Sequence, residues 1–393
     1  MERKIYLDHN ATTPLLPEAW EAMQPYWRVD FGNPSSLHGM GERAARAVRE
    51  AREEVARLLG ARDGSEVIFT SGATESNNAV FRSVSVAEGA RGRVATTAVE
   101  HSSVLRIAKA LQEEGRAEIV LSPVDGLGNL DPEELAGAAI EGTALVSVMM
   151  ANNETGVIFP VEEIGRRIKS KGILFHVDAV QAAGKLPFSV KDSPIDFLSV
   201  SAHKLGGPKG VGALYVKHGT PFHPFLFGGS QEKGRRAGTE NVPGIVGFGA
   251  AARYRRGRLV EAGNEMRKLR DYFEGEVLRT LPQVKINGDP SNRLPNTTNL
   301  AFQGVDSEAL LILLDEEGVC ASSGSACLSG APEPSHVLKA MGCSDEQARG
   351  SVRFSFGEGN TYAEAGEVVR ILARLVSRLR ETEFEEQHPH SRV

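Results

Sequence analysis

Cysteine is scarce in this sequence: three residues in 393. So odd and sparse a set does not make a disulfide framework. It points to a reducing compartment, the cytosol, where each thiol needs its own explanation. Long apolar runs are missing too, because polar and charged residues interrupt every hydrophobic stretch well short of membrane-spanning length. Met1-Glu-Arg-Lys-Ile-Tyr-Leu-Asp8 leads straight into a strand-like segment, so no secretory leader is expected. There is no excess of positive charge: the formal net charge is −6 and the pI near 6.0, which argues against nucleic acid or an anionic membrane as the main partner. The short basic run Arg253-Tyr-Arg-Arg-Gly-Arg258 reads as a solvated helix face. Internal repeats, a Walker A loop and a dinucleotide fingerprint are absent. Cys320 and Cys327 lack a second Cys or His pair, so no metal is expected.

What is present is a rhythm. Strand candidates at Glu66–Thr70, Val94–Thr97, Ala117–Ser122, Leu145–Met150, Leu174–Val177, Phe197–Ser201 and Ala213–Val216 alternate with amphipathic helices such as Glu42–Leu59, Ser102–Glu114, Pro132–Ile140 and Val161–Lys171. Several strands are nearly continuous β-branched or Leu-rich runs, the pattern of a mostly parallel sheet buried on both faces. The alternation predicts a three-layer α/β domain. After about Val242 the pattern changes: a long helical region to Leu281, with Gly257 and Gly263 as weak points, then strands Val284–Asn287 and Thr298–Phe302, helix Ser307–Glu317, a Ser/Gly-rich loop, strand Val352–Phe356 and helix Tyr362–Glu383. This predicts a smaller α+β domain. The tail Gln387–Val393 is polar, contains proline and is expected to be disordered.

Chemistry concentrates at strand ends. Asp178 follows an apolar strand, where ligands of open α/β sheets bind. A carboxylate there can keep a pyridinium nitrogen protonated, or simply cap the next helix. Lys204 ends the next strand in Ser201-Ala-His203-Lys204, before a glycine-rich turn. A partly desolvated amine in that position suits Schiff-base chemistry; alone, it would read as a surface loop. Together, Asp178 and Lys204 match the two ends of one pyridoxal ring. Thr74 opens a helix after a strand and suits an anion, although ordinary capping explains it as well. His101 follows strand Val94–Thr97 at the same sheet end and suits stacking on a ring and proton exchange, against a purely structural role. Cys327 lies in a small, polar stretch and is read as exposed on a flexible loop, Cys320 as buried and inert, and Cys343 as without a role. Arg353, in an otherwise apolar strand, suits bidentate capture of a substrate carboxylate; the plainer reading is an edge-strand salt bridge.

The same residues fall in ordered stretches: Tyr6-Leu-Asp-His-Asn-Ala-Thr-Thr-Pro14, Gly32-Asn-Pro-Ser-Ser-Leu-His38, Thr70-Ser-Gly-Ala-Thr-Glu-Ser-Asn77, Glu100-His101, Asn152-Asn-Glu-Thr-Gly156, His176-Val-Asp-Ala-Val-Gln181, Ser201-Ala-His-Lys204, Gly228-Gly-Ser-Gln-Glu232, Arg236-Ala-Gly-Thr-Glu-Asn241, Ser322-Ser-Gly-Ser-Ala-Cys327 and Arg353-Phe-Ser-Phe-Gly357. In this the chain resembles the cysteine desulfurases of the NifS/IscS type, class V aminotransferase-like pyridoxal-phosphate (PLP) enzymes of fold type I. The resemblance implies a large PLP-binding domain at 16–255 with a mostly parallel seven-stranded sheet. It implies a smaller α+β domain, from 1–15 and 256–386, carrying the catalytic cysteine loop. It makes Lys204 the cofactor-bearing lysine, Asp178 the partner of the pyridinium nitrogen, Gln181 a donor to the phenolic oxygen and His101 the stacking ring. Ala73, Thr74, Ser201 and His203 would hold the phosphate, joined by Thr239 from the other subunit of a homodimer, and Asn153 and Arg353 would position L-cysteine.

The implied reaction converts cysteine to alanine, with Lys204 removing the Cα proton and Cys327 taking the sulfur as a persulfide. A mobile loop would then present it to an acceptor, such as an iron–sulfur scaffold or a tRNA-thiolating enzyme. Selenocysteine lyase or another class V PLP activity is the alternative; Cys327 in its matching context favours desulfuration. A non-catalytic relative would have lost Lys204, Asp178 or Arg353. Glu358 stands where the family often has a basic residue, and His9 where the family varies.

Overall fold

The computed structural model describes residues 4–87, 92–324 and 334–387. Cys327 and positions 388–393 of the expected tail lie outside the described residues, whereas Gln387 closes the last helix. A short strand β1 (Ile5–Tyr6) is followed by the seven strands of the main sheet. These are β2 (Val67–Thr70), β3 (Gly92–Thr97), β4 (Ala117–Ser122), β5 (Thr143–Met149), β6 (Leu174–Asp178), β7 (Phe197–Ser201) and β8 (Gly212–Val216). Their spatial order is β2-β8-β7-β6-β5-β3-β4. β8 runs antiparallel to both neighbours and every other pairing is parallel.

Each strand feeds two apolar layers. Val67 and Phe69 of β2 enter one cluster and Ile68 the other; on β5, Val146 and Val148 oppose Leu145 in the same way. Successive side chains point to opposite faces. With both faces covered, the strands therefore read as continuous apolar runs. Burying each such side chain contributes roughly 1.5–3 kcal/mol. Helix Gly39–Leu59 presents Ala44, Val48, Ala51, Val55 and Leu59 to the first layer and stops at Gly60, in the left-handed region at φ 65°. It starts three residues ahead of Glu42 because the His38 ring accepts from the Gly41 N–H.

A second, antiparallel sheet, in order β12-β10-β9, consists of β9 (Val284–Asn287), β10 (Thr297–Phe302) and β12 (Ser351–Ser355); between them in the chain, β11 (Val319–Cys320) pairs in parallel with β1. Ile5, Leu7, Leu300, Phe302, Phe354 and Val368 share its core. Helix Val242–Thr280 serves both cores: Ile245, Phe248 and Ala252 belong to the first, Leu269, Phe273 and Val277 to the second. The weak points expected at Gly257 and Gly263 do not interrupt it. A glycine costs only about 1 kcal/mol in a helix, less than either packed face returns. No helix among the described residues is long and apolar enough to cross a membrane.

Candidate active site

The parallel strands end together. Met149 pairs with Asp178 and Asp178 with Ser199 across β5, β6 and β7. Gly212 of β8 lets the loop after β2 cross close by, since a Cβ there would lie 2.7 Å from Gly72 Cα and 2.7 Å from Val200 O. At this edge lies a cavity of about 680 Å³, closed on one side by Asn10, Ala11 and Thr12.

Lys204 ends a single 3-10 turn directly after β7. Its Nζ donates to the carbonyls of Asn10 at 2.5 Å and Ala11 at 2.7 Å. Burial, then the nearby Arg353 guanidinium, pulls its pKa from 10.5 to about 8, with Asp8 and Asp178 opposing. Asp178 is buried; its Oδ2 accepts from Asn77 Nδ2 at 2.9 Å and its Oδ1 from the Val180 N–H at 3.0 Å. It caps no helix, because turns follow it. Gln181 Nε2 donates to Asn10 O at 3.0 Å.

The His101 ring caps helix Ser102–Glu113, accepting from the Ser103 N–H at Nδ1. In its neutral form the ring therefore carries its proton on Nε2. Burial lowers its pKa, and the cation of Lys204 adds to this against the Asp178 carboxylate. Ala73 and Thr74 open helix Ala73–Ala87, whose free N–H groups and Thr74 hydroxyl border the cavity beside Ser201. His203 joins that wall, its Nδ1 3.1 Å from Thr12 Oγ1, with burial taking its pKa to about 4. Asn153 lines the cavity too, and its carbonyl accepts from Arg353 Nη1 at 3.0 Å.

Arg353 lies on β12, which is an edge strand, and it does form an ion pair: Nη2 to Asp8 Oδ1 at 2.8 Å. Yet the side chain is 6% exposed, lines the cavity, and its buried Nε has no partner among the described residues. Thr239 is the one described site residue away from this cavity. It lines a separate space of about 170 Å³ with Arg236, whose guanidinium pairs with Glu75 of the main cavity. Cys327 lies outside the described residues. Cys320 is half-buried rather than buried, and burial raises its thiol pKa, as it does for Cys343.

Four residues were not singled out from the sequence: Asp8, Asn10, Asn77 and Lys185. Asp8 and Asn10 lie in the Tyr6–Pro14 stretch, but only chain closure brings them against Arg353 and Lys204. Asn77 ends the Thr70–Asn77 stretch without a role of its own there, and no local pattern marks Lys185.

An amine of lowered basicity, a buried carboxylate and a helix start with hydroxyls surround one cavity. That donor set fits a phosphorylated cofactor with an aldehyde and a basic ring nitrogen. Arg353 Nε, without a partner among the described residues, leaves hydrogen-bonding capacity at the same site. The model of the aminotransferase class-V family matches residues 5–368. A curated relative from Trichormus azollae, "Cysteine desulfurase", is 50% identical over 376 residues, 96% of this chain and 94% of that protein. Among solved structures, a "NIFS-LIKE PROTEIN" superposes with a TM-score of 0.90 at 39% identity, covering 96% of this chain and all of the other (100%). One titled "SspA in complex with cysteine" gives a TM-score of 0.80 at 33% identity over 91% of this chain and 100% of that one.

Proposed function

This chain belongs to the class-V aminotransferase family, and from that premise we propose that it is a PLP-dependent cysteine desulfurase, forming L-alanine from L-cysteine. The observation that carries the reading is Lys204 and Asp178 on adjacent strand ends in one cavity, with Arg353 facing them. When bound, PLP supplies an electron-withdrawing ring that takes up the electron pair left as the Cα–H bond breaks.

The chain's own groups divide the rest of the work. Thr74, Ser201, His203 and the helix start at Ala73 would hold the phosphate, and Asp178, fixed by Asn77, would keep the ring nitrogen protonated. Gln181 would donate to the ring oxygen and His101 would stack on the ring. Arg353, held by Asp8, offers its guanidinium to the substrate carboxylate beside Asn153. Lys204, with a pKa of about 8, is basic enough to accept the Cα proton and neutral often enough to attack a carbonyl. Cys327 Sγ, as thiolate, forms an S–S bond to the substrate sulfur while the Cβ–S bond breaks. The bonding pair stays with the carbon skeleton, which takes up protons and leaves as alanine. The persulfide then passes to an acceptor protein, for iron–sulfur cluster assembly or tRNA thiolation.

The proposal extends to a cytoplasmic homodimer in which Thr239 of one subunit completes the other's phosphate site. It includes the division at 16–255 against 1–15 and 256–386; the boundary near 255 falls inside helix Val242–Thr280. Wild type and Cys327→Ser, both given cysteine, test the sulfur route. Alanine and sulfide release should fall by about two orders of magnitude or more in the variant. Full turnover by Cys327→Ser would overturn it, and an absorbance unaffected by borohydride would remove PLP.

A further inference from the structure

Lys185 is a buried amine with no part in the scheme above. Gly184, in the left-handed region at φ 74°, lies in the turn after β6, and Lys185, which follows it in the same turn, is 8% exposed. Nζ donates to Gln181 Oε1 at 2.8 Å and to Asn10 Oδ1 at 3.0 Å. No carboxylate among the described residues pairs with it, and the charges acting on it are the cations Lys204, Arg255 and Arg353. Burial, then these cations, pushes its pKa well below the ordinary lysine value. Two acceptors reach it, the number of N–H bonds a neutral amine carries.

Its two partners are the amides that frame Lys204. A glutamine amide can face either way, and its neighbours decide which. With Oε1 held by Lys185, Gln181 turns Nε2 toward Asn10 O, the carbonyl that also accepts from Lys204 at 2.5 Å. The Asn10 amide is sorted likewise: Oδ1 accepts from Lys185 and from Asn296 Nδ2, and Nδ2 donates to Thr297 Oγ1.

We propose that Lys185 is a positioning residue: by donating to Gln181 Oε1 and Asn10 Oδ1 it locks the Gln181 amide with Nε2 available to the cofactor's ring oxygen. This rests on the PLP reading above. An N–H donated to that oxygen lowers its basicity, so its loss raises the pH at which the visible band of the bound cofactor titrates. One hydrogen bond corresponds to a shift of roughly one pH unit.

The test uses PLP-loaded full-length wild type, Lys185→Met, Gln181→Leu and the double variant, following the pH midpoint of the visible band with far-UV circular dichroism and bound-cofactor content. Each single variant should stay folded and coloured with its midpoint raised by up to about one unit, and the double variant should rise no further. An unmoved midpoint in Lys185→Met beside a shifted one in Gln181→Leu overturns the proposal, as do fully additive shifts. An unmoved midpoint in a coloured Gln181→Leu removes the Gln181 contact and the proposal with it, leaving PLP in place, whereas a colourless wild type removes the PLP reading itself. Should Lys185→Met not fold, Lys185→Gln keeps an N–H donor at shorter reach: the proposal requires a smaller upward shift, and no shift overturns it.

Discussion

Lys204 in the cofactor-free chain should titrate near pH 8. Burial and Arg353 bring it there from 10.5 against the pull of Asp8 and Asp178. At about pH 7.5, an amine with that pKa is roughly one-quarter neutral, against about one part in a thousand for an ordinary lysine, a gain of about 240-fold in the form that attacks a carbonyl. The assay reacts the cofactor-free protein with pyridoxal from about pH 6 to 11, traps the adduct with borohydride and locates it at Lys204 by peptide mapping. Two variants set the sign. Arg353→Met removes a cation and should move the midpoint up; Asp8→Asn removes an anion and should move it down. A wild-type midpoint at or above about 10, or a downward shift in Arg353→Met, refutes the reasoning. Stability is linked to the same titration. The folded-state pKa lies below the unfolded one, so between about pH 8 and 10.5 the unfolded chain binds more protons and folding stability rises with pH. Below about pH 8 the folded chain carries the whole cost of the buried charge, on the order of 3 kcal/mol. Lys204→Met should accordingly raise the melting temperature of the cofactor-free protein near neutral pH and leave it unchanged above about pH 10.5.

Arg353→Lys should raise KM for cysteine about 10–100-fold with kcat changed only a few-fold, because a lysine cannot hold Asp8 and grip a carboxylate with paired N–H groups. Steady-state alanine formation checks this, and an unchanged KM rules the role out. Glu274 and Arg293 form a two-pronged pair at 2.5 and 2.6 Å, with side chains 7% and 3% exposed. Glu274→Gln leaves that guanidinium without its countercharge and should cost about 3–5 kcal/mol in urea unfolding; a loss below about 1 kcal/mol would contradict it.

The sheet was legible because its inner strands are buried on both faces: β7, buried throughout, matches its expected bounds at both ends. Lys204 and Asp178 were legible as a pair because β6 and β7 are neighbours in the chain and in the sheet. Local rules failed where tertiary contacts decide. Gly257 and Gly263 lower helix propensity, yet one helix runs through both, anchored in a core at either end. Asn77 reads in the sequence only as part of a helix-opening stretch; its amide matters because helix Ala73–Ala87 lies across the end of β6. Lys185 carries no local signature, and the part played by Asn10, inside the Tyr6–Pro14 stretch, shows only when residues far along the chain meet it.

The placing of Asn10 also sets an order of assembly. Its backbone N–H meets Ser355 Oγ and its amide meets Thr297 Oγ1, while β1, just before it, pairs with β11. Residues 5–14 leave the ribosome early, and although Thr13 already has partners at His203 and Gly206, Asn10 meets Ser355 only once the chain has grown past position 355. A nascent chain can therefore complete all seven strands of the central sheet while the segment whose carbonyls receive Lys204 still lacks its contacts to Thr297 and Ser355. Contacts between the two ends of a chain close slowly. The reactive amine is thus received by a segment that the central sheet and the later strands hold jointly, and the site is complete only when early and late parts of the chain meet.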